Sequence, residues 1–368
     1  MKEGTDVLVI GGGPAGLAAA IAARMKGFDV TVVDGTKPPI DKACGEGLMP
    51  STVSALRALC VEIGPADGQA LRGVCFKDEE STMEANFTGS RGFAMRRTML
   101  HQKMLERAQE CGVTLLWNTP VASLSEDGAT VGDRVLKAKW IIGADGVHSR
   151  VRRWIGLDPK GRQAKRFAQR QHFRVKPWTD CMEIHWGEAA QAYVTPLSND
   201  EICVSLISRD SRMRLQDARR IFPELARHLS HAEASSAERG ALTVTRTLRQ
   251  VYRGNVVLTG DASGSVDAIT GEGLCLSFHQ AIELAEALTK GRFESYQRAH
   301  RQIAKRPFTM GRFLLFLDRY PSLRRRAFRG MAAEPELFAR LLATHLGEAS
   351  PTFLAATSLR FGWQFLTA

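Results

Sequence analysis

The sequence predicts an α/β fold in which a parallel sheet with helices comes first and an antiparallel sheet is inserted later. The apolar run 6–10, a glycine-rich turn, a helical stretch 14–26 and a second apolar run 29–34 form a strand–helix–strand unit. After about residue 160 the chain changes to closely spaced β-like runs joined by turns, including QHFRV, MEIHWG, QAYVTPL and EICVSLIS. These runs predict an antiparallel sheet that walls a pocket.

Periodicity and turn residues predict the remaining elements. The loop 35–50 is rich in glycine and proline, and a helix is predicted over 97–110, ended by Gly112. Further helices are predicted at 51–60, around 211–229 and at 273–288, and further strands at 71–77, 81–87, 113–117, 139–144, 241–250 and 255–259. No internal repeat or low-complexity segment interrupts this order.

Composition predicts a globular, cytoplasmic protein. The chain has 368 residues, of which 44% are hydrophobic and 24% charged, and no segment approaches 18 unbroken apolar residues. The seven cysteines are scattered, with no CxxC pair or Cys/His cluster, so neither a disulfide framework nor a metal site is expected. Asp6 and three consecutive glycines interrupt the apolar N-terminal stretch, which argues against a secretory signal.

The positive charge is concentrated near the C-terminus. The formal net charge is +11, and the segment 296–330 holds ten Arg or Lys residues against one Asp. Its arginines alternate with apolar residues as in an amphipathic helix broken near Pro321. Two interpretations stay open: a solvated outer face whose apolar side packs on the core, and peripheral contact with a membrane surface. Nucleic-acid binding is not expected, because no recognisable reading motif is present.

The glycine-rich turn is typical of a dinucleotide site. Gly11, Gly13 and Gly16 form GxGxxG between a strand and a helix opened by Pro14 and Ala15. Glycines let the backbone approach a pyrophosphate, and the helix N-terminus offers unpaired N–H groups to it. Asp34 ends the second strand, where a carboxylate can accept hydrogen bonds from ribose hydroxyls.

Two later segments make this signal specific. GADGVHSRVRR at 143–153 carries Asp145, and the segment 255–281 carries Gly260, Asp261 and the run Gly271-Glu272-Gly273. In this order the three motifs resemble the p-hydroxybenzoate hydroxylase-like flavoprotein superfamily, which includes geranylgeranyl reductases and flavin-dependent halogenases. The resemblance extends to about residue 300. It implies FAD as cofactor in a Rossmann-like domain related to glutathione reductase.

The resemblance also implies roles for individual residues. Asp261 would hydrogen-bond the ribityl chain, and the turn from Gly271 through Gly273 to Leu274 would aim a helix at the flavin N1–C2=O edge. Asp145 would brace the pyrophosphate, and Arg97 matches an arginine near the flavin phosphates and ribityl chain.

The loop 35–50 resembles two branches of the superfamily. Lys42, Cys44, Gly45 and Gly47 match the K-x-C-G-x-G loop of geranylgeranyl reductases, whereas Gly45, Glu46 and Pro50 echo the GES-x-x-P loop of halogenases. Tyr193 and Pro196 are what remains of the aromatic–proline motif that both branches carry. Cys44, Glu46 and Tyr193 are therefore the predicted catalytic residues, with His185 and Trp186 as further candidate pocket residues.

These observations predict three regions and an oxidoreductase. Residues 1–70, 95–160 and 245–295 would form the FAD-binding domain, 71–94 and 161–244 the substrate domain, and 296–368 a basic helical region. The leading prediction is a monooxygenase in which NAD(P)H reduces FAD and O2 adds at C4a before one oxygen passes to a hydrophobic, aromatic substrate. The alternatives are reduction of isoprenoid or other alkene double bonds, halogenation, and a membrane-surface flavoprotein with incidental redox activity.

Overall fold

The computed structural model describes residues 4–125, 127–132, 134–159 and 165–348. The last part of the predicted basic helical region 296–368, from residue 349 onwards, lies outside the described residues. Within them, no helix combines the length and the apolar character that crossing a bilayer requires.

Among the described residues, the first sheet has eight strands: β1 Gly4–Ile10, β2 Val30–Val33, β8 Thr114–Leu116, β9 Val121–Ser125, β10 Gly128–Val131, β11 Arg134–Gly143, β18 Tyr252–Arg253 and β19 Val256–Leu258. Their order is β18-β19-β11-β1-β2-β8, extended by β9 and β10. The four central pairings, β1 with β2, β1 with β11, β2 with β8 and β11 with β19, are parallel. Parallel strands place their carboxyl ends at one edge, which is where ligands bind in open α/β sheets.

Helices cover both faces of this sheet. α1 Pro14–Met25, α2 Pro50–Ala58, α3 Arg97–Glu110 and α7 Gly273–Thr289 belong to one side, and the short α4 Arg150–Trp154 to the other. α1 is alanine-rich and almost entirely buried, because it packs between the sheet, α3 and α7. Small side chains permit that close approach of helix and sheet.

The second sheet also has eight strands in the described part of the chain: β5 Gly73–Lys77, β6 Thr82–Asn86, β12 Lys165–Arg174, β13 Met182–Trp186, β14 Ala190–Pro196, β15 Glu201–Ser208, β16 Glu233–Ala234 and β17 Arg239–Val244. Their order is β16-β12-β15-β14-β13-β5-β6, with β17 on β12. All neighbours are antiparallel except β5 and β13. β3 Gly47–Leu48, β4 Gln69–Leu71 and β7 Gly92–Ala94 form a small third sheet.

The two faces of the second sheet pack on different helices. α5 Leu215–Ile221 and α6 Pro223–His228 cover one face. The other face meets α8 Glu294–Arg319, α9 Pro321–Ala333 and α10 Pro335–Leu346. The predicted break near Pro321 is confirmed, because α8 ends at Arg319 and α9 begins at Pro321.

The fold class is confirmed, and several local predictions are wrong. The helix expected around 211–229 is two short helices, because Pro223 cannot continue α5 and starts α6 instead. The strand expected at 241–250 ends at Val244, and the β9–β10 hairpin was not predicted. Within 71–94, β5 and β6 join the second sheet, whereas β7 pairs with β3 and β4.

Candidate functional site

A tight turn between β1 and α1 forms the floor of the main cleft. Gly11 has φ +112°, which residues with a side chain rarely adopt. A Cβ at Gly11 would lie 2.5 Å from the carbonyl oxygen of Ala144, and a Cβ at Gly16 would collide with the carbonyl oxygen of Gly11. A Cβ at Gly13 would meet no atom of the described residues within 4 Å. Packing therefore requires Gly11 and Gly16, whereas Gly13 leaves open space at the floor of the cleft.

Two helix N-termini line this cleft. α1 begins at Pro14 and α7 begins at Gly273, and no side chain of the described residues caps either helix. Gly13, Ala15, Gly273 and Leu274 are all lining residues. Because helix N-termini carry unpaired N–H groups and partial positive charge, both ends favour an anionic or electron-rich group in the cleft.

Asp34 lies at the carboxyl end of β2 and lines the cleft. Its Oδ2 accepts a hydrogen bond from the N–H of Gly12 at 2.7 Å, and its Oδ1 accepts one from the N–H of Thr36 at 2.8 Å. The side chain therefore fastens the glycine turn. The role of Asp34 as a hydrogen-bond acceptor for ribose hydroxyls remains a prediction.

Asp145 and Asp261 face the cleft from two further loops. Asp145 Oδ2 accepts hydrogen bonds from the N–H groups of Arg150 and Val151 and so fixes the start of α4, while Oδ1 is buried without a described partner. Asp261 follows Gly260, which has φ +58°, and its Oδ2 lies 3.3 Å from Lys42 Nζ. The loop 35–50 thus reaches the predicted ribityl-binding carboxylate.

The segment around Cys44 is fastened to the second sheet. Thr195 Oγ1 donates to the carbonyl of Gly45 at 2.7 Å, and Ser205 Oγ donates to the carbonyl of Cys44 at 3.3 Å. Cys44 is half-buried and lines the cleft together with Gly45 and Gly47. These contacts hold the backbone of the loop between the glycine turn and strands β14 and β15.

Glu46 is a buried residue of the loop 35–50 that contacts both α3 and the second sheet. It is 2% exposed and has φ +61°. Oε1 accepts from the N–H of Arg97 at 2.9 Å, and Oε2 lies 2.7 Å from His172 Nε2. His172 Nδ1 lies 3.3 Å from the Arg170 guanidinium, which can only donate, and 2.8 Å from Ser236 Oγ. Nε2 therefore carries the hydrogen donated to Glu46.

Both carboxylate oxygens of Glu46 hold protein groups in place. The catalytic role of Glu46 stays a prediction. Cys203 lies beside this pair, and one ligand atom from each of Glu46, His172 and Cys203 falls within 4.8 Å of the others. The sequence could not indicate this group, because its members come from three distant segments. Burial and the neighbouring Glu46 carboxylate raise the pKa of the Cys203 thiol, which opposes the thiolate form that binds metals.

Tyr193 stands where the main cleft meets a second, apolar cavity. The main cleft has a volume of about 580 Å³ and the second cavity about 80 Å³, and Met182, Tyr193 and Gly271 line both. Tyr193 is buried, its hydroxyl donates to the carbonyl of Ile269 at 3.3 Å, and burial raises its pKa.

The second cavity lies between the sheet and the C-terminal helices, and its walls are almost entirely aliphatic, aromatic and methionine side chains. They include Met49, Val74, Phe76, Ile184, Met310, Phe313, Leu314, Leu317, Phe328, Met331, Phe338, Leu341 and Leu342. His185 and Trp186 line neither cavity. His185 bonds Glu183 at 3.1 Å on the opposite face, and Trp186 is covered by the rings of Phe76 and Phe328.

Glu272 and His345 lie next to the junction of the two cavities. Glu272 precedes α7 and is 5% exposed, and its Oε2 lies 3.7 Å from His345 Nε2. Burial raises the pKa of Glu272 to about 8 against the opposing effect of Arg306. Burial lowers the pKa of His345 to about 4. Both side chains are therefore mainly uncharged at neutral pH.

Two aromatic residues that the sequence did not single out support the glycine turn. His101 Nε2 lies 2.8 Å from the carbonyl oxygen of Gly12, and burial lowers the pKa of His101. The ring of Trp117 occupies the space that a Cβ at Gly12 would need. Neither residue belongs to a local motif, so only the folded contact identifies it.

The residues of the main cleft fit FAD. Arg97 lines the cleft, and its Nε is buried without a described partner, as is Asp145 Oδ1. One unpaired donor and one unpaired acceptor, two helix N-termini and an open floor at Gly13 suit a phosphate-containing ligand with a polyol chain. Bound FAD would supply a ring that takes up and delivers electrons in pairs.

The fold and the cleft define a flavin-dependent oxidoreductase of the α/β dinucleotide-binding class. The chain belongs to the family described as FAD binding domain, which matches residues 4–305. This match confirms the resemblance drawn from the three motifs and confirms FAD as the cofactor.

Two sequence relatives and one solved structure are similar to this chain. A menaquinone reductase of Mycobacterium tuberculosis (strain ATCC 25618 / H37Rv) is 26% identical over 315 residues, covering 78% of this chain and 77% of the relative. A digeranylgeranylglycerophospholipid reductase 1 of Methanopyrus kandleri is 30% identical over 294 residues, covering 73% and 76%. The solved p-nitrophenol 4-monooxygenase PnpA of Pseudomonas putida DLL-E4 superposes with a TM-score of 0.77 at 18% identity, covering 93% and 97%. This last likeness concerns the fold alone.

Proposed function

We propose that this oxidoreductase saturates carbon–carbon double bonds in the isoprenoid chain of a lipid. The observation that carries the proposal is the apolar cavity that joins the FAD cleft at Tyr193, Met182 and Gly271. A hydrocarbon chain lying there would place a double bond beside the cofactor while the walls exclude water. The names of the two sequence relatives support this choice, because both are reductases and both named lipids carry isoprenoid chains.

The residues around the junction suit an apolar substrate better than a phenol. The Tyr193 hydroxyl is engaged with the carbonyl of Ile269, and burial raises its pKa, so it stays a protonated wall residue. A hydroxylase for an aromatic substrate needs polar groups that orient the ring, and the walls of the apolar cavity offer few of them. We therefore favour reduction of a double bond over the hydroxylation that the sequence predicts.

Saturating a double bond takes a hydride equivalent and a proton. Reduced FAD would supply the first, and the chain must orient the double bond and allow a proton to reach the other carbon. Glu272 precedes α7 beside this junction, and burial keeps it protonated at neutral pH. We include Glu272 in the proposal as a positioning residue that keeps the cofactor end of α7 free of negative charge.

The test uses the full-length, FAD-loaded protein. Under anaerobic conditions, the dithionite-reduced holoenzyme is mixed with menaquinol, whose quinone ring is already reduced and whose isoprenoid chain is unsaturated, or with geranylgeraniol, and products are analysed by mass spectrometry. Products carrying two additional hydrogen atoms per double bond, together with flavin reoxidation, support the proposal. Flavin reoxidation without chain saturation contradicts it.

A parallel aerobic reaction with NADPH and isotopically labelled O2 tests the monooxygenase and the electron donor together. Incorporation of one labelled oxygen atom into an added phenol, with phenol-stimulated oxygen uptake, would replace reduction by hydroxylation. Bleaching of the flavin by NADPH alone, measured separately without O2, identifies NAD(P)H as the reductant in either case.

A further inference from the structure

One face of α8 forms an exposed basic stripe. Five basic residues of this face are exposed, and their spacing places them within a sector about 60° wide around the helix: Arg298, Arg301, Lys305, Arg312 and Arg319. Of the two acidic residues of α8, Glu294 is exposed on the same face at the N-terminal end of the stripe, one turn before Arg298, and Asp318 is buried on the other side of the helix.

Most of these charged groups form no ion pair or hydrogen bond with the described residues. Arg301 donates to the carbonyl of Arg249 at 2.8 Å. Among the described residues, no carboxylate lies within 4.0 Å of the charged groups of Arg298, Lys305, Arg312 or Arg319. A set of uncompensated cations on one helix face creates a positive potential, which attracts an anionic surface.

An exposed aromatic pair lies within the same face. Phe316 and Tyr320 are 47% and 48% exposed, and their ring centroids are 5.0 Å apart. The other exposed large hydrophobic residues of the described chain are Met25, Met99 and Val135, on α1, α3 and β11. Aromatic rings and arginines interspersed on one helix face are typical of contact with the headgroup region of a bilayer.

The opposite face of the same helix lines the apolar cavity. Phe313, Leu314 and Leu317 alternate with the exposed residues and point to the sheet. The basic stripe and the apolar cavity therefore lie on different sides of α8, and the apolar cavity leads to the FAD cleft. Nucleic acid would share the charge complementarity of a lipid surface, but it gives no reason for the exposed aromatic pair beside an apolar cavity.

We propose that the exposed face of α8, centred on Lys305, Arg312 and Phe316, docks on an anionic lipid bilayer. The arginines and lysine contact lipid phosphates, and the Phe316–Tyr320 pair inserts at the level of the headgroups. Docking does not depend on the proposed reaction, so the two can fail separately.

The test is sedimentation of the full-length holoenzyme with vesicles of phosphatidylcholine alone and with added phosphatidylglycerol, at low and high salt. Binding is expected only with phosphatidylglycerol and is expected to weaken as salt screens the charges. The triple variant Arg298→Glu, Lys305→Glu, Arg312→Glu is expected to lose roughly a hundredfold in affinity. Phe316→Ser with Tyr320→Ser should remove the fraction of binding that survives high salt.

The matched control reverses three exposed basic residues elsewhere, Arg57→Glu, Arg134→Glu and Lys137→Glu, with the same change in net charge. Flavin absorbance and circular dichroism confirm that each variant folds and retains FAD. Equal losses in the control and the α8 variant would overturn the proposal, because net charge alone would then explain binding. Absence of wild-type binding to phosphatidylglycerol vesicles, or stronger binding to duplex DNA at the same salt, would also overturn it.

Discussion

Glu272 Oε2 lies 3.7 Å from His345 Nε2, yet the two side chains do not form an ion pair at neutral pH. Burial raises the pKa of Glu272 to about 8 and lowers the pKa of His345 to about 4. The contact therefore joins a protonated carboxyl to a neutral imidazole beside the junction of the two cavities.

Glu272 makes the free energy of unfolding depend on pH. The folded state keeps a proton that the unfolded state releases above its ordinary pKa of 4.5, so stability falls as pH rises towards 8. His345 acts in the opposite direction and only between about pH 4 and 6.5. Above pH 6.5, Glu272→Gln should therefore gain stability relative to wild type, by roughly 1 kcal/mol per pH unit until about pH 8.

Urea denaturation of the oxidised holoenzyme between pH 6.5 and 8.5 measures this difference. The control is Glu283→Gln, an exposed glutamate on the same helix. If the Glu272→Gln and wild-type curves stay parallel across this range, the carboxyl is already ionised in the folded protein and the assignment is wrong.

The sequence predicted those parts of the fold that depend on local pattern. The strand–turn–helix at Gly11 to Gly16, the α3 helix and the break at Pro321 follow from periodicity and turn residues, and the structure has all three. The parallel pairing of β5 with β13 and the Glu46–His172 contact join segments more than 100 residues apart. Local periodicity carries no information about such pairings. The sequence therefore predicted a pocket beside the antiparallel sheet, but neither its walls on the C-terminal helices nor the contact of Glu46 with His172.

Substitutions at two glycines of the first turn, Gly13 and Gly16, should affect FAD binding and folding separately. In the part of the chain that the structure describes, a Cβ at Gly13 meets no atom within 4 Å, whereas a Cβ at Gly16 collides with the carbonyl oxygen of Gly11. Gly13→Val should therefore fold with an apo-protein Tm close to wild type but retain little FAD. Gly16→Ala should lower the apo-protein Tm itself. Flavin-to-protein absorbance ratios and thermal unfolding of the apo-proteins make the comparison, and full flavin occupancy in Gly13→Val would contradict the position of the pyrophosphate.

Substitutions of Asp261 and of its neighbour Lys42 should lower the affinity for FAD to different extents. Asp261→Ala removes the predicted acceptor for the ribityl chain, and the purified protein should be colourless. Lys42→Met removes only a partly exposed contact of 3.3 Å, which is worth at most about 1 kcal/mol, so its FAD affinity should fall less than tenfold. Fluorescence titration of the apo-proteins with FAD gives both constants. A larger loss in Lys42→Met than in Asp261→Ala would reverse the assignment.

Filling the apolar cavity should block the proposed reaction and spare the cofactor. Leu341 and Leu323 are both half-buried leucines of the C-terminal helices, but only Leu341 lines the cavity. Leu341→Trp places a bulky ring where the hydrocarbon chain would lie, so kcat/KM for a long isoprenoid substrate should fall at least about tenfold, with FAD content unchanged. A substrate with a single isoprene unit should be affected less, because it needs less of the cavity, and Leu323→Trp should resemble wild type with both substrates. Equal rates for Leu341→Trp and Leu323→Trp on the long substrate would show that its chain lies elsewhere, even if the protein reduces it.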